Sequence, residues 1–129
     1  MAYACRILKV AYGRGASVVV YHDDAHALQR FDDALWSFSP LDFVPHALAS
    51  SAQAARSPIV LTSSDTALPH HAVLLNLSMQ VAPMFSSFER LIEFVPSSGD
   101  ALIKARERYK FYKDRGYPMK THEFRENQR

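Results

Sequence analysis

The sequence predicts a single α/β domain of three layers, in which a mainly parallel sheet carries helices on both faces. Short apolar runs of strand length occur at residues 17–21, 58–62 and 72–77. Longer stretches with apolar residues at helical spacing precede, separate and follow these runs, and this alternation is typical of parallel α/β domains. The chain has 129 residues, of which 48% are hydrophobic, so it can build one core of ordinary size.

The N-terminal third is predicted to fold as a helix, a strand and a second helix. Residues 3–12 alternate apolar and polar side chains at helical spacing, and Gly13-Arg-Gly15 follows them. A glycine in that place supplies the left-handed residue that ends a helix. After the first strand, Asp23 or Asp24 can cap a helix that runs to about Ser37. The apolar side of that helix consists of Ala27, Leu28, Phe31, Leu35 and Trp36.

The middle of the chain is predicted to hold loops and two buried strands. Pro40 and Pro45 bracket an irregular segment, and residues 47–57, which are rich in Ala and Ser, read as a loop. The runs at 58–62 and 72–77 follow as strands.

Pro83 is predicted to open a third helix, which gives way to a short strand at residues 94–95 that Pro96 ends. The apolar residues of that helix are Phe85, Phe88, Leu91 and Ile92. A last helix, capped within residues 97–100, closes at Gly116. We place the domain at residues 1–117 and a polar C-terminal tail at residues 118–129, of which residues 121–129 are expected to fray.

Composition and charge narrow the class of protein. No apolar run approaches the ~20 residues needed to cross a bilayer, and the first residues lack the apolar centre of a secretory signal. A single cysteine, Cys5, fits a reducing cytoplasm and a small buried side chain, although a reactive thiol is the alternative. The net charge is only +2, yet seven cations crowd residues 104–120 against two carboxylates. A solvated helix surface is the alternative to a binding role for this run.

The motifs that would indicate an enzyme or a bound cofactor are weak. Gly13-Arg-Gly15 is too short for a dinucleotide fingerprint, and no phosphate-binding loop motif occurs. The segment from His22 to His26 has metal-ligand residue types, but aspartates at the start of a helix are better explained as caps. His70 and His71 read as surface residues of a loop. We therefore predict a protein without catalytic residues, metal or cofactor.

The most informative stretch is residues 105–116. Arg106, Tyr109, Lys110 and Lys113 fall at i, i+3, i+4 and i+7, so they share one face of the last helix. The face combines three cations with an aromatic ring and has no obvious nucleophile or general base. Such a face can grip an anionic partner.

Three blocks in this order carry a family resemblance. ALW at residues 34–36 with FVPH at 43–46, FVP at 94–96, and ARERYKFY at 105–112 resemble the chi subunit of bacterial DNA polymerase III. The similarity spans nearly the whole chain. It implies a non-catalytic accessory subunit of the clamp-loader complex in DNA replication. In that family the psi subunit tethers chi to the clamp loader, and chi binds the acidic C-terminal tail of single-stranded DNA-binding protein, so its contact with single-stranded DNA is indirect.

The resemblance also implies site residues. The tail ends in a phenylalanine with a free carboxylate, which requires an apolar socket and nearby cations. Trp36, Phe43 and Val95 match the family's socket, and Arg106, Tyr109 and Lys110 match its clamp. Lys113 is our extension of the clamp along the helix. By the residues alone, Trp36 and Phe43 are equally compatible with the core.

One departure from the family and two alternatives remain at this stage. Chi proteins usually begin with a strand ahead of the first helix, so we expect either a start upstream of Met1 or a neighbouring chain in that place. Losing an interior strand would leave strand edges unpaired. The first alternative function is a module that binds single-stranded nucleic acid directly, stacking bases on Tyr109 and Tyr112. The second is an enzyme acting on a nucleotide, for which the sequence offers no phosphate cradle.

Overall fold

The computed structural model describes five segments of the chain, residues 2–37, 45–64, 68–96, 98–117 and 120–124. Within them lie α1 (Ala2–Gly13), β1 (Val18–Tyr21), α2 (Ala25–Ser37), β2 (His46–Leu48), β3 (Ile59–Thr62), β4 (Val73–Asn76), β5 (Arg90–Pro96), α3 (Gly99–Asp114) and β6 (Lys120–Phe124). Among these residues, no helix has the length and apolar character to cross a bilayer.

The strands form one sheet in the order β2-β3-β1-β4-β5-β6, and every pair of neighbours is parallel. From β1, α2 leads to one edge of the sheet, whereas α3 leads from β5 towards the other edge. Parallel crossovers are right-handed, so the two helices lie on opposite faces. The prediction of a three-layer α/β domain with a parallel sheet is confirmed.

The core has one half on each face of this sheet. Val18 and Val20 of β1 pack under α1 and α2, whereas Val19 and Tyr21 point to the side of α3. Strands buried on both faces read as continuous apolar runs, which is why the first strand was visible in the sequence. Each fully buried apolar side chain of this size stabilises the fold by about 1.5–3 kcal/mol.

The predicted end of α1 is confirmed in detail. Gly15 adopts a φ of +75°, in the left-handed region. Its N–H donates to the carbonyl of Tyr12, and the N–H of Ala16 donates to that of Ala11. This pair of bonds satisfies carbonyls that the last turn leaves open. Any residue with a Cβ would be strained at Gly15.

Cys5 lies on the inward side of α1 and is 1% exposed, among the apolar side chains of the first core half. Burial raises the pKa of the Cys5 thiol, which keeps it protonated and unreactive. The interpretation of Cys5 as a small core residue is confirmed.

Two predicted elements of the middle of the chain are wrong. Residues 47–57 are not all loop, because His46–Leu48 pairs with β3 as an edge strand. The helix predicted from Pro83 is replaced by a single 3-10 turn, Phe85–Ser87, followed by the seven-residue strand β5. Leu91 and Ile92 face opposite core halves, as neighbours in a strand must. Their helix-like spacing from Phe85 and Phe88 was coincidental.

The tail is also more ordered than predicted, because Lys120–Phe124 pairs in parallel with β5. The expectation of a frayed tail at residues 121–129 is wrong for residues 121–124. Their backbone groups complete hydrogen bonds with the edge of β5, which polar side chains do not prevent. The described interior strands are each paired on both sides, so no edge is open inside this sheet.

Candidate partner-binding site

The 16-residue helix α3 carries most of the residues predicted to bind a partner. Ser98 takes the extended N-cap position, although its side chain makes no capping hydrogen bond. Asp100 places a negative charge in the first turn, where the helix dipole favours it. At the other end Gly116, with a φ of +67°, closes the last turn as predicted.

Four side chains of α3 point into solvent and form what we call the basic face: Arg106, Tyr109, Lys110 and Lys113. Tyr109 is 46% exposed and is one of the exposed large hydrophobic residues of the described chain. Within the described part of the chain, no carboxylate forms an ion pair with Arg106, Lys110 or Lys113. Three unneutralised cations around a ring produce a positive potential that attracts an anionic ligand.

The opposite side of α3 is held by a cluster of polar side chains that we call the buried network: Asn76, Glu93, Arg108 and Tyr112. Glu93 of β5 is at its centre. Arg108 Nε donates to Glu93 Oε1 at 2.9 Å, and Tyr112 Oη donates to Oε2 at 2.6 Å. Asn76 Nδ2 donates to Oε2 at 2.9 Å, so three donors from two elements converge on one carboxylate.

Burial governs the protonation chemistry of this network. Removal from water raises the pKa of Glu93 despite the opposing charge of Arg108 and the three hydrogen bonds. Burial, followed by the nearby carboxylate, raises the pKa of the Tyr112 hydroxyl, which therefore remains a donor. Because Arg108 and Tyr112 both donate to Glu93 of β5, which Asn76 of β4 also holds, the network fixes the rotation of α3 about its axis. That rotation decides which side chains reach solvent.

The buried network is not among the features predicted from the sequence. From the sequence, Arg108 is one of the seven cations of residues 104–120, and Tyr112 is predicted to stack bases in the alternative function. Tyr112 is fully buried, so the stacking role assigned to it is wrong. Two signals were available: Arg108 and Tyr112 share the helix side of Ala105, and Glu93 interrupts an apolar strand. A lone carboxylate in a buried strand requires donors nearby.

Trp36 lies at the end of α2, on the other face of the sheet from α3. The residue is 53% exposed, and its indole lies against the ring of His46, with the ring centroids 4.6 Å apart. His46 is buried in β2, and its Nε2 lies 3.0 Å from Asp32 Oδ1 of α2. The contacts of Asp32 and Trp36 with His46 attach α2 to the edge strand.

The predicted site residues are therefore only partly brought together. Arg106, Tyr109, Lys110 and Lys113 share the basic face, and Val95, half-buried in β5, is on the α3 side because it alternates with Leu91 and Glu93. Trp36 contacts β2, four strand positions from β5. At the usual strand spacing, four positions correspond to about 19 Å. Phe43 lies outside the described residues.

A cleft of about 220 Å³ opens along one flank of α3, facing the chain that follows β4. Met79 is 43% exposed at its rim, and the Arg108 Nη1 group donates to the Met79 carbonyl at 2.8 Å. The described lining residues are Met79, Gln80, Val81, Lys104, Glu107, Arg108 and Phe111. No local pattern in the sequence predicts this cleft, because it requires the segment after β4 to fold against the helix.

Other candidates from the sequence have structural roles. Asp24 Oδ1 accepts the N–H groups of His26 and Ala27, so it caps α2 as predicted. These two bonds lower the pKa of Asp24. The described residues contain no group of three side chains placed to hold a metal ion. Phe88 is buried, and Phe85 packs against Phe111, Tyr112 and Tyr117, so this aromatic cluster belongs to the core.

Comparisons with known proteins agree with the fold and with the blocks seen in the sequence. A family profile described as "DNA polymerase III chi subunit, HolC" matches residues 1–120. The chain is 30% identical over 119 residues to DNA polymerase III subunit chi of Pseudomonas aeruginosa, covering 92% of this chain and 82% of that protein. It is 31% identical over 120 residues to the chi subunit of Haemophilus influenzae, with 92% and 83% covered. The chi subunit of Escherichia coli is 28% identical over 118 residues, with 91% and 80% covered.

Proposed function

Because the chain belongs to the DNA polymerase III chi subunit family, we propose that it is a non-catalytic accessory subunit that links the clamp loader to DNA coated with single-stranded DNA-binding protein. The psi subunit would tether it to the clamp loader. The basic face would bind the acidic C-terminal tail of single-stranded DNA-binding protein. The observation that supports this proposal best is the exposed, unneutralised cluster of cations around Tyr109 on a helix of fixed rotation.

The chemistry of the tail fits the basic face in two respects. A terminal carboxylate can accept charge-assisted hydrogen bonds from Arg106 and Lys110, which stand one helical turn apart. The exposed Tyr109 ring offers a surface for the terminal phenylalanine, and Lys113 extends the positive charge towards the aspartates of the tail.

The apolar socket stays part of the proposal. Val95 is the socket residue on the α3 side of the sheet, and the cleft beside α3 adds the apolar surfaces of Val81 and Phe111. We retain Trp36 and Phe43 as proposed socket residues. Trp36 exposes a large apolar ring, although its contact with β2 places it away from the basic face. A ring and a carboxylate held at separate points give the tail a defined direction.

A contact built from exposed ion pairs should be weak and sensitive to salt. Each such pair contributes little on its own, and ions in solution screen it. Fast release would suit a subunit that must leave one bound protein for the next as the polymerase moves.

The test is fluorescence anisotropy of a labelled acidic peptide that ends in phenylalanine with a free carboxylate. We expect binding by the parent chain, a loss in Lys110→Ala, and a loss when the peptide carboxylate is amidated. Arg30→Ala is the matched control, because Arg30 is an exposed cation on α2, away from the basic face. Equal losses in Lys110→Ala and Arg30→Ala would reduce the interaction to unspecific charge attraction. No binding by the folded parent chain would refute tail docking.

Direct binding of single-stranded nucleic acid is the competing function. It now has one exposed ring on α3 rather than two, since Tyr112 is buried. Anisotropy with labelled single-stranded DNA and no other protein decides between them: DNA binding without tail-peptide binding would favour the competing function.

A further inference from the structure

A second cationic surface lies on the other side of the molecule. It is a groove of about 410 Å³ between α1 and the first residues of β1, β4 and β5. We call it the α1 groove, and its described lining residues are Arg6, Ile7, Val10, Ala11, Arg14, Ala16, Val18, Val73, Arg90 and Ile92. The set contains three arginines, seven apolar residues and no carboxylate.

The floor and wall of the α1 groove are apolar surface that the chain leaves partly in water. Val10 is 54% exposed, and Ile7, one turn before it on the same helix, is only partly buried. On the sheet, Val73 is only partly buried at the start of β4. Helices α1 and α2 both pack on this face of the sheet. Together they leave the start of β4 partly exposed to water. Contiguous apolar surface of this kind, rimmed by polar groups, marks interaction sites.

The charges show what kind of ligand fits. Arg6 and Arg14 are eight residues apart along α1 and the turn that follows, which corresponds to about 12 Å. Arg90 stands on the sheet side of the groove, at the start of β5. Cations spread over this length exceed the reach of a single carboxylate. They match carboxylates that repeat every two turns along a helix whose other face is apolar.

We propose that the α1 groove binds an acidic amphipathic helix of a protein partner. The apolar side of that helix would cover Val10, Ile7 and Val73, and its flanking carboxylates would meet Arg14 and Arg90. The groove lies on the opposite face of the sheet from α3, so both surfaces can be occupied at once. The proposal concerns a second site and does not depend on tail docking.

The probe is a labelled synthetic peptide of about 18 residues, long enough to form a helix on binding, with leucines at i, i+3, i+4 and i+7 and glutamates elsewhere. Its control peptide carries lysines in place of the glutamates. The proteins are the full chain, Arg14→Glu, Val10→Ser, Arg30→Glu as the matched charge reversal on α2, and Lys113→Glu as the same reversal on the basic face. All of these side chains are exposed, so each variant should fold, which circular dichroism checks.

We expect the acidic peptide to bind the parent chain and the lysine peptide not to bind. Arg14→Glu should weaken binding by about tenfold, the effect of one lost charge-assisted contact, and Val10→Ser should weaken it as well. Arg30→Glu and Lys113→Glu should leave it unchanged.

Equal losses in Lys113→Glu would assign the peptide to the basic face and overturn the proposal. Equal binding of both peptides, or no binding to the folded parent chain, would overturn it too. A dimer of the chain that dissociates in Val10→Ser, seen by sedimentation, would give the groove to a second copy instead.

Discussion

The two sides of α3 carry the same residue types and behave in opposite ways. Arg106 and Tyr109 stand in water on the basic face, whereas Arg108 and Tyr112 are buried against Glu93. The difference comes from helix rotation alone, because each pair is spaced three or four residues apart. One side of the helix attaches it to the sheet, and the other is left for a ligand. A charge count cannot distinguish these roles.

Among the residues of α3, removal of the Arg108 side chain should have the largest effect on the free energy of unfolding. Arg108→Ala leaves the Glu93 carboxylate buried without its cation, so we expect the free energy of unfolding to fall by about 3–5 kcal/mol. Urea denaturation followed by circular dichroism measures it. The matched variant Arg106→Ala should change the free energy of unfolding by no more than about 0.5 kcal/mol. Similar losses in the two variants would mean that the rotation of α3 described here is wrong.

The two tyrosines give a finer version of the same test. Tyr112→Phe removes one donor to a buried carboxylate and should lower the free energy of unfolding by about 1.5–3 kcal/mol. Tyr109→Phe removes a hydroxyl that faces water and should leave stability as it is. Thermal denaturation of both variants is sufficient, and a more stable Tyr112→Phe protein would contradict the hydrogen bond to Glu93.

The affinity for the tail peptide should depend on the exposed residues of α3 more than on the buried ones. Arg106→Ala should lower the affinity for the tail peptide by about tenfold, the effect of losing one hydrogen bond to a charged group. The variant should remain as stable as the parent protein. The anisotropy assay with the tail peptide measures it. Undiminished affinity in Arg106→Ala would remove this residue from the proposed clamp and leave Lys110 to hold the carboxylate.

The pH dependence of stability should show the smallest effect. Burial raises the pKa of Glu93 above its ordinary value of 4.5, so the folded chain holds this proton more tightly than the unfolded chain. The contribution of Glu93 to stability is therefore complete below that ordinary value and declines as pH rises through the folded pKa. Urea titrations at several pH values should show the decline in the parent chain and in Glu107→Gln, but not in Glu93→Gln. A free energy of unfolding that instead rises with pH above 4.5 in the parent chain, but not in Glu93→Gln, would contradict this prediction.

Elements whose signals are local were predictable from the sequence. Asp24 caps its own helix, Gly15 and Gly116 end theirs, and the β-branched run of β1 is a strand in any context. The basic face was also predictable, since helical spacing alone places Arg106, Tyr109, Lys110 and Lys113 together.

Features that depend on distant parts of the chain were not predictable. His46–Leu48 is a strand because β3 lies beside it, and Lys120–Phe124 is one because β5 offers an open edge. The burial of Arg108 depends on Glu93, a residue 15 positions away. The separation of Trp36 from the basic face follows from strand order, which local patterns do not encode.

Because Cys5 is buried, its thiol can report local unfolding of the first helix. Cys5 is the single cysteine of the sequence, and it is buried on the side of α1 that faces the sheet. A thiol-specific dye can therefore react only in molecules whose first helix has lifted from the sheet, and the labelling rate measures how often that happens. Such pulse labelling needs no engineered probe. It would show whether a ligand in the α1 groove reduces the opening of this helix.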